Sequence, residues 1–210
     1  MGTVVATTFV SMDGVLQAPG TPEEDPSSGF DVGGWQVPHV DEDMGAFVNE
    51  VMSRADAFLL GRKTYDIFAA HWPRVTDEND PVARALNSLP KYVASTTLKS
   101  ADWNNTTLIA ENVADRVAAL KQQHAREIQV WGSGELIQTL REHDLIDEHH
   151  VLTFPVVLGA GKKLFPDGCT RSAFTLTGAR TTKAGAVIAT YHPAGEVVTG
   201  SFALEDEVAT

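Results

Sequence analysis

Apolar residues along this chain switch repeatedly between strand-like and helix-like spacing. "TVVATTFV" is a β-branched run that stops at "SMDG", which predicts a first strand closed by a turn. After Asp41 the period changes. Met44, Phe47, Val48, Val51 and Met52 fall at helical spacing and predict one core-facing stripe. "AFLLG" reads as a short buried strand and Thr64 onward as a helix, while "KYVAS" and "TTLIA" read as further strands. Val113, Val117 and Leu120 share a side of a helix from Val113 to His124; "IQVWGSG" is a strand stopping on glycines, and "ELIQTLREH" is a helix with Leu136, Ile137 and Leu140 inward. "HVLTFPVVLG" predicts a long apolar strand, and "SAFTLTGARTTKAGAVIATYH" two strands joined around "KAG" as a terminal hairpin.

Alternating strands and helices predict an α/β fold of about eight strands, mostly parallel, with antiparallel C-terminal strands and helices on both faces. One domain is expected over residues 1–193, followed by an acidic, flexible tail over 194–210. The Pro-, Gly- and Ser-rich stretch Gln17 to Gly34 is too long for a plain connection, and loops of that length are usually functional.

Composition narrows the function. A formal charge of −12 and a pI near 4.9 over 210 residues exclude general nucleic-acid binding, which needs a basic face. Cys169 is the single cysteine, so no disulfide forms within the chain and cysteine-rich zinc sites are out. Met1 to Val10 reads as a strand and not a signal peptide, and no apolar run reaches membrane-span length. A cytoplasmic protein with no membrane or nucleic-acid partner is expected.

Against that acidic background, "FLLGRKTYDIF" places Arg62 and Lys63 where Gly61 ends a strand and a helix begins. Bases there oppose the helix dipole by about 0.3–1 kcal/mol each, whereas a bound anion would favour them and meet free backbone N–H groups. A solvated surface pair and an anion site are both open readings. Gly132, Ser133 and Gly134 form a second strand–glycine–helix turn, although Ile137 replaces the third glycine of a dinucleotide fingerprint. Ser95, Thr96 and Thr97 end a third strand with hydroxyls. In a parallel sheet such ends share the carboxyl edge, where α/β proteins bind ligands.

"SMDG", "LLGRKTYDIF", "KYVAS" with "TTL", "VWGSGELIQTL" and "LIDEHHVLTFPVVLGAGKKLF", in that order, resemble the dihydrofolate-reductase-like superfamily. More closely they resemble the C-terminal reductase domain of the riboflavin-biosynthesis deaminase/reductase and its stand-alone relatives. The resemblance implies a three-layer dihydrofolate-reductase-like fold with NADPH along the carboxyl edge of the sheet. It implies that Gly61, Arg62, Lys63 and Thr64 hold the pyrophosphate and the 2′-phosphate side of adenosine, with Arg62 on the 2′-phosphate. Ser95 and Thr96 would finish the adenosine end, and Gly132, Ser133, Gly134, Glu135 and Leu136 would cradle the pyrophosphate from the other side. Ser11, Asp13 and Gly14 would border the nicotinamide and substrate. The deaminase elements H-x-E and C-x-x-C are absent, so only the reductase half applies. "WQVPHVDED" has the W-x-x-P of folate reductases, but the position of the pterin-binding acid falls on Val40.

Hydride transfer needs an oriented cofactor and a proton source. Asp13, Asp41 and Asp43 are the candidate donors. Asp41 reads equally as a helix N-cap and Asp13 as a turn former. Trp35, Tyr65 and Phe68 can wall a flat substrate or belong to the core, and Gln17 to Gly34 can close as a lid. "LGAGKKLF" lacks the P-loop spacing, and Lys162 and Lys163 read as surface charges; "WGSGE" lacks the glycines of a nucleophile elbow; His143, His149 and His150 lack metal-site spacing. The reading is therefore an NADPH-dependent reductase of a small heterocyclic or carbonyl-type substrate, with a non-catalytic NADP(H)-binding module as the rival. A homodimer through the C-terminal strands is expected to cover the open sheet edge.

Overall fold

A computed structural model describes residues 1–77 and 79–202. Its elements run β1 (Thr3–Ser11), α1 (Glu42–Arg54), β2 (Ala55–Gly61), α2 (Arg62–His71), α3 (Pro81–Ser88), β3 (Lys91–Ala94) and β4 (Thr106–Ile109). They continue with α4 (Val113–Gln123), β5 (Glu127–Trp131), α5 (Gly134–Glu142), β6 (Glu148–Phe154), β7 (Phe174–Thr181) and β8 (Val187–Pro193). All eight strands form one sheet in the order β4-β3-β2-β5-β1-β6-β8-β7. Strands β1 to β6 pair in parallel, and β8 runs antiparallel between β6 and β7.

Two apolar layers cover the sheet. On one face Phe47, Val51 and Met52 of α1, Tyr65 of α2 and Leu86 of α3 pack with Phe58, Leu60, Val93 and Leu152. On the other, Val117 and Leu120 of α4 and Leu136, Ile137 and Leu140 of α5 pack with Val4, Ala6, Leu59, Ile128 and Val130. Alternate residues of β2 thus serve opposite layers, as a strand buried on both faces requires.

Helix α3 was not marked by the apolar pattern, yet its start is encoded. Asp80 accepts from the Val82 and Ala83 amides, and Pro81 occupies the first turn. Strand β6 is shorter than "HVLTFPVVLG" suggests. It stops at Phe154 because Pro155 has no N–H to continue the ladder, and Val156 N–H turns back to Phe154 O at 2.8 Å. Residues 194–202 carry no helix or strand, and the rest of the expected tail, 203–210, lies outside the described residues. No helix among the described residues is long and apolar enough to cross a membrane.

Candidate active site

Strand order decides where a ligand can sit. After β2 the chain moves to β3 on one side; after β5 it moves to β6 on the other, and β2 and β5 are neighbours. Their carboxyl ends therefore flank a topological switch point, the crevice where open α/β sheets bind ligands. Helices α2 and α5 begin there, one on each face, and both aim their N-terminal amides at the crevice.

The two turns are tied to each other. Gly61 N–H donates to Ser133 Oγ at 2.9 Å, and Ser133 N–H donates to Thr64 Oγ1 at 3.1 Å. Ser133 Oγ also donates to Trp131 O at 2.9 Å. Gly132 has φ +54°, and an added Cβ would stand 3.3 Å from Thr64 Oγ1, so the turn needs glycine for both conformation and room. Arg62 reaches the next strand end: its Nε donates to Asp66 at 2.8 Å and its Nη1 to Thr97 Oγ1 at 3.2 Å. Ser95 Oγ accepts from Leu98 N–H at 3.0 Å and Thr97 N–H at 3.3 Å, fixing that turn, while Thr96 is exposed. Lys63 lies 3.4 Å from Asp25. Glu135 is exposed in the first turn of α5, and Leu136 is buried in the core below it.

Along the same rim lies the turn after β1. Ser11 Oγ donates to Asp13 at 2.7 Å and accepts from Val15 N–H at 2.9 Å. Asp13 also accepts from the Leu158 and Gly159 amides at 3.0 and 2.8 Å, so it clamps the loop that follows β6. The Ser11 hydroxyl and these amides hold its carboxyl down to about 2, leaving no proton to donate at neutral pH. Gly14, at φ +81°, has open space where a side chain would be.

Farther along, the β7–β8 turn reaches the rim because β7 runs in the direction of the parallel strands. Asp41 caps α1 by accepting from Met44 N–H at 2.9 Å, and accepts from Ala184 N–H at 2.7 Å. The Met44 amide, then the Ala184 amide, lower its pKa. Asp43 accepts from Lys183 N–H at 3.1 Å.

Rim residues therefore follow one line: Ser95 to Thr97, Gly61 to Thr64, Gly132 to Gly134, Ser11 to Gly14, the 158–162 loop, then Asp41 and Asp43. The aromatic candidates do not stay together. Trp35 is buried edge-on against Phe154, its Nε1 donating to Gln17 O at 2.7 Å. Tyr65 packs toward Trp103 and accepts from its amide at 3.3 Å, and Phe68 packs on Trp72. These two support α2 from the core side.

A cavity of about 340 Å³ opens between residues 27–32 and the 158–162 loop, lined by Gln17, Phe30, Leu158 and Lys162 among others. The long loop is pinned over it. Gln17 donates to Asp25 O and Ser27 O at 2.8 and 3.1 Å and accepts from Lys162 N–H at 2.9 Å. Asp25 is only 5% exposed and binds Lys162 Nζ at 2.7 Å. Burial raises the Asp25 pKa, but Lys162 and Ser27 outweigh it and bring the value to about 2. Asp25 was not among the sequence candidates, Thr97 was named only with the strand-end hydroxyls, and Lys162 was read as a surface charge. Their links span long stretches of chain, with no local signal.

The donor set fits a phosphorylated dinucleotide: a guanidinium, strand-end hydroxyls, two helix N-termini and a glycine turn whose Cβ space is already limiting. The fold is of the reductase type, with the dihydrofolate-reductase architecture. The RibD C-terminal domain family matches residues 2–188, and the chain belongs to that family. It is 32% identical over 155 residues to the uncharacterized protein YyaP of Bacillus subtilis (strain 168), covering 73% of this chain and 81% of that protein. The Thermotoga maritima diaminohydroxyphosphoribosylaminopyrimidine deaminase/5-amino-6-(5-phosphoribosylamino)uracil reductase superposes with TM-score 0.60 at 12% identity, over 92% of this chain and 57% of that one. Enterococcus faecalis dihydrofolate reductase complexed with NADP(H) superposes with TM-score 0.56 at 14% identity, over 91% and 96%.

Proposed function

We propose that the protein is an NADPH-dependent reductase of a small heterocyclic or carbonyl-type substrate. The carrying observation is the switch-point crevice, where Gly61, Thr64 and Ser133 are hydrogen-bonded into one turn pair beside Arg62. Arg62, Ser95, Thr96 and Thr97 would hold the adenosine 2′-phosphate end; the amides of Arg62 to Thr64 and Gly134 to Leu136 would hold the pyrophosphate, presented by the turns that Gly61, Gly132 and Ser133 shape. When bound, the nicotinamide supplies a hydride. Ser11, Asp13 and Gly14 shape the open space at the nicotinamide end, and Asp13 keeps the 158–162 loop in place. The substrate would enter the 340 Å³ cavity, a size within the usual range for small-molecule sites.

Asp43 is the proposed proton source, since it accepts from one backbone amide where Asp13 and Asp41 each accept from two. Steady NADPH oxidation with a panel of heterocyclic and carbonyl compounds tests the reading. Tight NADPH binding without turnover on such a panel would instead select the non-catalytic module, which the engagement of all three acids with backbone amides favours. The proposed catalytic domain spans residues 1–193, a reading that the family match over residues 2–188 supports. The proposed homodimer forms along β7, the sheet edge, whose Leu176 is 54% exposed; a monomer by light scattering would contradict it.

A further inference from the structure

Three donors at or beside the substrate cavity, Lys162 Nζ and the Leu158 and Gly159 amides, are already occupied by carboxylates of this chain. Lys162 is the one cationic residue lining the cavity among the described residues, and its Nζ is 2.7 Å from Asp25 Oδ2. The other Asp25 oxygen faces Lys63 at 3.4 Å and accepts from Ser27 Oγ at 2.7 Å. The Leu158 and Gly159 amides, which otherwise offer two donors to a ligand, are held by Asp13. Asp31 lines the same cavity and adds a negative charge. Phe30, Val32 and Leu158 supply apolar wall.

We infer that Asp25 is a specificity-determining residue that makes this cavity one for an uncharged heterocyclic or carbonyl substrate and turns away substrates carrying a phosphate. This rests on the cavity being the substrate end of the proposed reductase site. A phosphate bound at Lys162 would compete for the Nζ with Asp25, a carboxylate nearly sealed from water, and would leave it only Lys63 at 3.4 Å and Ser27 Oγ. Weakening the pairing of so buried a charge is unfavourable. Phosphate in the cavity would also meet Asp31 on its wall, with Asp25 behind Lys162, and like charges repel. The same carboxylate ties the long loop to the first turn of α2 through Lys63, so the filter and the loop position are one feature.

The test is calorimetric titration with ribose 5-phosphate and with ribose, run with and without saturating NADP⁺, on wild type, Asp25→Asn, Asp25→Ser and Asp25→Asn/Lys162→Ala. Two substitutions at Asp25 guard against one that fails to fold, which circular dichroism would reveal. Wild type is expected to show no preference for the phosphorylated sugar. At least one Asp25 variant should bind ribose 5-phosphate about tenfold more tightly than wild type or better, as expected when a charge-assisted donor is freed, and lose the gain with Lys162→Ala. Wild-type binding of ribose 5-phosphate that depends on Lys162, or folded Asp25 variants with no gain, would overturn the inference. Failure of NADP⁺ to bind, read from protein fluorescence in the same samples, would count against the cofactor reading alone, because the sugar comparison is also made without cofactor.

Discussion

Arg62 stands in the first turn of α2, where its charge opposes the helix dipole, and its Asp66 and Thr97 contacts are solvent-exposed. Exposed pairs of this kind are worth little, so the guanidinium can exchange Asp66 for a phosphate at small cost. Arg62→Ala should weaken NADPH binding about tenfold or more, the scale of a hydrogen bond to a charged group, while leaving NADH nearly unchanged. Fluorescence titration with both cofactors checks this, and equal losses for the two would remove Arg62 from the 2′-phosphate. At the other end of the rim, Asp43→Asn should lower kcat by about a hundredfold with KM little changed, as for a lost general acid. An unchanged kcat would leave solvent as the proton source. The bases of "GRKT" could be read from the sequence as candidates because they break a local rule. The Asp25 pair could not, since "EEDPSS" opens with three acids in a row and nothing local marks which one turns inward.

At the scale of elements, the caps and turns carry both stability and site geometry. Asp41 joins α1 to the β7–β8 turn through the Met44 and Ala184 amides. Asp41→Ala should destabilise the fold by about 1–2 kcal/mol, measured by urea unfolding, as loss of an N-cap usually does. Gly132→Ala should cost about 1–2 kcal/mol through its left-handed backbone alone and weaken NADPH binding by pressing on Thr64. Most elements were legible because helical and strand periods differ strongly in their apolar spacing. Helix α3 escaped because its eight residues bury only Ala83 and Leu86, too few to show a period. The Pro155 stop of β6 was hidden because the apolar run continues past it into a loop that packs on the core through Leu158 and Leu164.

Over the whole molecule, the parallel sheet and its terminal hairpin follow from element order and the right-handed crossover rule, so the fold was legible. The position of the switch point was not, because it depends on β5 inserting between β1 and β2, a long-range pairing with no local signature. The paired histidines of β6 had no sequence rationale either; they point to opposite faces and both are buried. Desolvation, then the charges of Arg141 and His150, lowers His149 from 6.5 to about 4, and desolvation likewise brings His150 to about 4. The unfolded chain therefore binds more protons than the folded one between those values, so stability is full above about pH 6.5 and falls as pH drops toward 4. For His149 alone the loss is on the order of 3 kcal/mol. Both its ring nitrogens lack hydrogen-bond partners among the described residues, so His149→Leu should flatten the pH dependence of the urea midpoint in this range by about one proton. An unchanged slope would show that its imidazole charges freely in the folded state.

The central claim is that separate strand ends grip one dinucleotide, and amide chemical shifts under NADP⁺ titration test it most directly. The account expects Gly61 to Thr64, Ser95 to Thr97, Gly132 to Leu136 and Gly14 to shift together with a single dissociation constant. Shifts confined to one of these turns, or scattered over the amino edge of the sheet, would contradict it.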